Sequence, residues 1–133
     1  MEMIPETHLD LLKDENKAFL FLGTLMSNGA PQVTPVWFNI DGTNILINTA
    51  EGRIKDRNMR ARPDVALCIT DPANPYRYLQ IRGKVVEYTA EGADDHIDML
   101  AFKYQGVSKY PSRNPGEKRI IFKIKPIKVD SHG

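Results

Sequence analysis

The sequence predicts a mainly β domain: a six-stranded antiparallel β-barrel with two or three short helices, preferred over a two-layer α+β sandwich. Three observations carry this prediction. Apolar, β-branched runs recur along the chain, the first three of them joined through Asn28-Gly29 and Asp41-Gly42, pairs that tolerate the positive φ of a tight hairpin. Several of these runs alternate apolar and polar residues, as half-buried strands do. At 133 residues there is one core to fill, and a barrel hides strand edges that a flat six-stranded sheet of this size would expose.

Pro5 to Asn16 reads as a first helix, with proline in the first turn and Leu9, Leu11 and Leu12 on its apolar side. AFLFLGTL (18–25) is the first strand, and PQVTPVWFNI (31–40) returns beside it. Pro35 cannot donate to a ladder, so this second strand belongs at an edge or carries a bulge. TNILINT completes a predicted three-stranded meander. VALCIT (65–70) is the fourth strand, and DPANPY is a rigid loop. YRYLQIRGKVVEY (76–88) is a long fifth strand with Leu79, Ile81 and Val85 on one face and Gln80, Arg82 and Lys84 on the other. A helix spans about Glu91 to Gly106, with Ile97, Leu100, Ala101 and Tyr104 inward. The segment before RIIFKIKPIKV (119–129), the sixth strand, has two prolines and a glycine and reads as a loop.

Composition excludes several functions. A net charge of +1 argues against bulk attraction to nucleic acid, and aromatic and basic residues do not alternate along one strand as a base-stacking platform requires. Acids gather at the start, where Glu2, Glu6, Asp10, Asp14 and Glu15 face Lys13 alone. The single cysteine, Cys68, sits within a strand and is expected to be buried rather than nucleophilic. His8, His96 and His132 have no metal-ligand spacing. His96, beside Asp94, Asp95 and Asp98, is expected to be exposed, and His132 to lie in a disordered tail. No apolar run is long enough to cross a membrane and the acidic start is unlike a signal peptide, so a cytoplasmic protein is expected.

The densest charge is in TAEGRIKDRNMRARPDV (49–65), with five arginines and lysines between Arg53 and Arg62 against Asp56. A helix from about Gly52 to Ala61 would turn Ile54, Asn58 and Ala61 toward the barrel. Arg53, Arg57 and Arg60 then form one charged stripe, and Lys55 and Arg62 the opposite flank. The corner where the strand ends, with Thr49, Gly52, Arg53 and Lys55 beside first-turn N–H groups, suits a phosphate. A solvated connecting helix is the competing reading, and the pattern alone leaves both open. Trp37 and Phe38, beside Pro35, offer a flat apolar wall near exposed backbone polar groups; core or dimer packing is the other use of a strand tryptophan.

In order and spacing, PVWF, DG, NTAEGRIKDRNMRARPDVAL and QIRGKV resemble the pyridoxamine 5′-phosphate oxidase-like family of flavin and deazaflavin enzymes, over residues 6–129. The resemblance implies an FMN-binding type of split β-barrel that forms a homodimer with two cofactor sites at the interface. It implies phosphate binding by Arg53 and Lys55 with Asn58 in support. Pro35, Val36, Trp37 and Phe38 would run along the isoalloxazine ring, Thr49 would end the third strand at the site, and Tyr78 and Gln80 would reach the partner's cofactor. The chain is shorter than the vitamin-salvage oxidase and lacks its extra C-terminal segment, which argues against pyridoxamine phosphate as substrate.

Flavin chemistry needs no protein nucleophile or metal, which accords with the lack of a catalytic triad, paired carboxylates or a metal cluster in the sequence. The expected activity is hydride transfer between the cofactor and a small planar organic substrate, with catalytic residues unassigned. The deazaflavin coenzyme F-420 is preferred over FMN, because Arg57, Arg60, Lys109 and Arg113 could meet its longer acidic tail. Tyr110 could stack on a ligand at the substrate entrance; an ordinary surface loop is the other reading of that segment. The alternatives are a flavin-binding or cofactor-carrier protein without turnover and an FMN-dependent relative of the oxidase.

Overall fold

The structure is a computed structural model that describes residues 3–133, so Glu2 of the acidic start lies outside the described residues. Its frame is one antiparallel sheet of seven strands: β1 (Phe19–Leu25), β2 (Pro31–Val36), β3 (Phe38–Asp41), β4 (Asn44–Ala50), β5 (Asp64–Asp71), β6 (Asn74–Thr89) and β7 (Arg119–His132). Their order in the sheet is β2-β1-β5-β6-β7-β4-β3.

The two outermost strands, β2 and β3, are consecutive in the chain and separated by Trp37 alone. A single residue spans only about 7 Å between its neighbours' Cα atoms. The two edges of the sheet therefore meet at Trp37, and the sheet curls into a split β-barrel. This corrects the predicted strand count and the meander. PQVTPVWFNI is two strands because its first half pairs with β1 and its second half with β4, which itself pairs with β7. Pro35 stands in β2, an edge strand, as its missing N–H requires.

Inward residues alternate along the strands and fill the barrel: Leu20 and Leu22, Phe38, Ile45 and Ile47, Leu67 and Ile69, Leu79 and Ile81, Phe122 and Ile124 are all buried. The expected parity of β6 holds, with Gly83 continuing the inner face past Ile81. There the chain passes so close to β7 that an added Cβ would stand 2.7 Å from Ile124 Cγ2 and 3.2 Å from the Lys125 carbonyl oxygen.

The predicted first helix is instead two 3₁₀ segments, Glu6–Leu12 and Asp14–Asn16, broken at Lys13, whose backbone is extended. Leu11 is buried, and Leu9 and Leu12 pack against the core. His8 is buried too, and its Nε2 lies 3.0 Å from the carbonyl oxygen of His132. His132 is thus part of β7, stacked on Tyr78 at 5.1 Å, rather than in a disordered tail.

Two α-helices complete the fold. Between β4 and β5, α1 (Ile54–Ala61) buries Asp56, Asn58 and Met59 while Ile54 and Ala61 are exposed, so of its expected inner face only Asn58 is inward. The cause is the helix start. Asp56 turns inward to accept the Gly52 N–H at 2.8 Å and Arg60 Nε at 2.7 Å, and Met59 rather than Ile54 reaches the core. The second helix, α2 (Ala93–Gln105), lies across the outer face of β4 and β7. It covers Leu46 and Ile121 with Ala93, which is why every residue of β4 after Asn44 is buried. No helix among the described residues is long and apolar enough to cross a membrane.

Candidate functional site

The end of β4, the start of α1, the β2–β3 crossover, α2 and the loop before β7 line an open cavity of about 400 Å³. That volume is in the range of small-molecule sites. Pro35, Val36, Trp37, Thr49, Arg53, Lys55 and Tyr110 all line it, so residues far apart in sequence converge. Phe19, Asn48, Ile97, Gln105, Ser112 and Arg119 line it too and were not anticipated.

Its aromatic wall is built from the crossover. Trp37 stacks on Tyr104 with ring centroids 5.3 Å apart and planes 8° apart, and meets Tyr110 edge-on at 5.9 Å. The backbone beside Trp37 is held by α2: the Phe38 N–H donates to Tyr104 Oη at 3.4 Å, and Lys103 Nζ donates to the Phe38 carbonyl at 2.6 Å. Tyr104 in turn donates to the Ala18 carbonyl at 2.8 Å. Burial raises the pKa of its hydroxyl, which stays protonated to make that bond. Phe38 itself is a core residue and presents no side chain to the cavity. On the far side of Trp37 a second cavity of about 500 Å³ is lined by Phe19, Trp37, Tyr104, Lys17, Pro72, Asn16 and Gln105.

Another part of the lining is cationic. Arg53, Lys55 and Arg119 face the cavity, with Glu117 as counterion: its Oε1 lies 3.4 Å from Arg53 and 2.9 Å from Arg119, while its Oε2 is buried without a partner. Burial, then the charges of Arg53 and Arg119, hold the pKa of Lys55 below the ordinary lysine value. A group whose charge is penalised in this way is relieved by an arriving anion. The first-turn N–H groups of α1 lie at the same corner. Gly52, at φ +91°, supplies the turn, but its N–H is committed to Asp56. The Thr49 hydroxyl is buried and has no hydrogen-bond partner among the described residues.

Arg119 is held most firmly. It is buried, its guanidinium stands 5.2 Å from the Tyr110 ring centroid, and its Nε donates to Asn48 Oδ1 at 2.8 Å. Asn48 Nδ2 donates to the Ala93 carbonyl at 2.9 Å and lies 3.0 Å from His96 Nδ1, and His96 Nε2 lies 2.7 Å from Asn39 Oδ1. His96 is therefore buried against β3 and β4 rather than exposed among acids. Desolvation first, and the charge of Arg119 second, push its pKa down to about 4.

The other anticipated residues lie outside this cavity's lining. Asn58 is buried with its amide on Thr24 Oγ1 at 3.0 Å, so it ties α1 to β1. Arg57 is exposed on α1. Arg60 pairs with Asp56 and Glu51 and covers the Tyr88 ring at 4.6 Å. Lys109 and Arg113 face Asp98, which also accepts the Tyr110 N–H at 2.9 Å, so they tether the loop to α2. Tyr78 and Gln80 are on β6, paired with β5 and β7. Asn48 and Arg119 were missed because neither belongs to a local motif: Asn48 lies within β4, and Arg119 is the first residue of β7. Only the register that sets Ala50 opposite Arg119 and Asn48 opposite Ile121 brings them together.

Fold and cavity together define a split β-barrel with a cation-lined, aromatic-walled site at the crossover where its edges meet. The family model described as pyridoxamine 5′-phosphate oxidase matches residues 4–133, and the chain belongs to that family. Among solved structures it is similar to an F-420 reductase, at 31% identity over 96% of this chain and 98% of that one, with a TM-score of 0.82. A Listeria innocua protein provisionally named pyridoxamine 5′-phosphate oxidase shares the fold at 18% identity, covering 95% of each chain, with a TM-score of 0.69. HutZ, the heme storage protein of Vibrio cholerae, shares it at 17% identity over 96% of this chain and 94% of that one, with a TM-score of 0.66. No curated protein sequence matches the chain significantly.

Proposed function

We propose that the protein is an oxidoreductase that uses coenzyme F-420, with FMN as the alternative cofactor, on a small planar organic substrate. The observation that carries this is the convergence of Arg53, Lys55 and Arg119 with the Pro35–Trp37 wall on one cavity. The residues fit a phosphate-bearing flavin: Arg53 and Arg119 share one acid, Glu117, Lys55 adds a third cation to the lining, and the partnerless Thr49 hydroxyl lines the same cavity. Arg53, Lys55 and the first-turn N–H groups of α1 would hold the phosphate, as charge-assisted donors do. The backbone of Pro35 to Trp37 would orient the ring edge, and Trp37 would exclude water from one side.

When bound, the cofactor supplies the hydride chemistry, and the chain contributes position and charge. The adjoining cavity between Phe19, Trp37 and Tyr104 has the flat walls a planar substrate needs. The preference for F-420 rests on the 31% identical reductase rather than on the outer basic flank, since Arg60, Lys109 and Arg113 are engaged with acids of this chain. We further propose a homodimer with the cofactor sites at its interface. The outward apolar face of β1 and β2, where Phe19, Phe21, Leu25 and Val33 are exposed, supports this because it borders the cavity at Phe19 and Pro35.

Fluorescence titration of the purified protein with F-420 and with FMN tests the assignment. We expect F-420 to bind more tightly, and Lys55→Ala and Arg53→Ala each to weaken it by roughly 1.5 to 3 kcal/mol, about tenfold or more. Tighter binding of FMN would reverse the cofactor preference, and unchanged affinity in both variants would remove the corner from the site. Anaerobic reduction with candidate substrates separates turnover from cofactor carriage.

A further inference from the structure

We propose that His96, in its neutral form, is a positioning residue that locks Arg119 onto the cofactor's anionic group through Asn48. The inference rests on the reading of this cavity as a cofactor site and goes beyond it.

The orientation of the Asn48 amide is fixed from two ends that cannot be reversed. The Ala93 carbonyl can only accept and faces Nδ2, whereas Arg119 Nε can only donate and faces Oδ1. Asn48 Nδ2 therefore offers its second hydrogen to His96, and His96 Nδ1 must accept it. The ring proton then resides on Nε2 and is donated to Asn39 Oδ1 at 2.7 Å. The chain Asn39–His96–Asn48–Arg119 is thus directional and complete, with each member using the group its neighbour needs.

A proton on Nδ1 would set a ring N–H against the Asn48 amide N–H at 3.0 Å. Rotating the amide gives no relief: it would turn the NH2 onto Arg119 Nε–H and the oxygen onto the Ala93 carbonyl. The clash can be resolved only by moving Arg119 or α2. Charged neighbours reinforce the neutral state. From β7 the facing group is Arg119, a cation, and its pairing partner Glu117 is turned to Arg53 and Arg119. From β3 and β4 the facing groups are the neutral amides of Asn39 and Asn48. On α2, Asp95 is exposed and Asp98 is bound to Arg113 and the Tyr110 N–H. The depressed pKa of the ring accords with this arrangement.

The role is distinct from core filling, because an apolar side chain would fill the space but leave the second Asn48 amide hydrogen and Asn39 Oδ1 without their partner. Glutamine can accept from Asn48 through its oxygen and donate to Asn39 through its NH2, so it should restore the chain.

The test combines binding and nitrogen-15 NMR of the imidazole ring on the full-length protein. In the wild type we expect the Nε2–H tautomer and an F-420 or FMN affinity that falls as His96 is protonated below pH 5. His96→Leu should weaken binding roughly tenfold at pH 7, and His96→Gln should recover affinity to within about threefold without the His96-linked loss at low pH. Asn48→Asp puts an acceptor against Nδ1, so it should raise the ring's pKa while still holding Arg119. That variant reads the coupling even if His96→Leu fails to fold. An Nδ1–H tautomer, wild-type affinity in folded His96→Leu, or an unshifted ring pKa in Asn48→Asp would overturn the inference alone. Binding of neither cofactor by the wild type would overturn the site reading with it.

Discussion

At the scale of single residues, the protein keeps several ionisable groups buried in the form their hydrogen bonds require. His96 is the clearest. With its folded pKa near 4, below the ordinary 6.5, the unfolded chain binds the extra proton between those values. The stability that neutral His96 contributes is therefore fully present above pH 6.5 and is lost as pH falls toward 4. The window is worth up to about 3 kcal/mol. Urea unfolding at pH 7 and pH 5 should show this loss in the wild type and a smaller one in His96→Gln. Equal pH dependence in the two proteins would assign the acid sensitivity to other groups. Lys103 is a contrasting case. Burial lowers its pKa, and Asp14 at 3.2 Å opposes that shift, so it serves as a donor to the Phe38 carbonyl. None of this was visible in the sequence, where His96 stands among three aspartates and Lys103 between Phe102 and Tyr104.

Among the elements, the barrel depends on the approach of β6 to β7. Gly83 is buried at a register shift in that pair, and a methyl group there would press on Ile124, the Lys125 carbonyl and Leu67 together. Gly83→Ala should destabilise the fold by about 1 to 3 kcal/mol, as overpacked cores do, measured as a lower urea midpoint with an unchanged slope. Stability equal to wild type would mean that β7 can shift. The alternation of β6 and the two hairpin turns were legible because period and turn chemistry are local. The inner face of α1 was not. Its apolar residues pointed to Ile54, whereas the hydrogen bonds of Asp56 to Gly52 and Arg60 turned the helix to bury Met59.

For the whole molecule, the curl of the sheet places the cavity where its two edges join and leaves the outer face of β1 and β2 apolar. Phe21 opposes Pro35 and Gly23 opposes Val33 on that face, and Val33 is 68% exposed. If the proposed homodimer covers it, sedimentation velocity should show a dimer for the wild type and a monomer for Val33→Glu, with weakened cofactor binding in the variant. A wild-type monomer that binds cofactor fully would exclude the interface from the site.

The sequence by itself determined most of the strands, the two hairpin turns, the basic stretch at Arg53 and Lys55 and the family resemblance, because these rest on contiguous residues. Tertiary structure alone decided that PQVTPVWFNI splits at Trp37, since the two halves differ only in the strands they pair with, β1 on one edge and β4 on the other. It also decided that Asn39, Asn48, His96 and Arg119 form one chain of hydrogen bonds. Those four residues come from β3, β4, α2 and β7, and no local pattern records which strand ends a curled sheet will bring together.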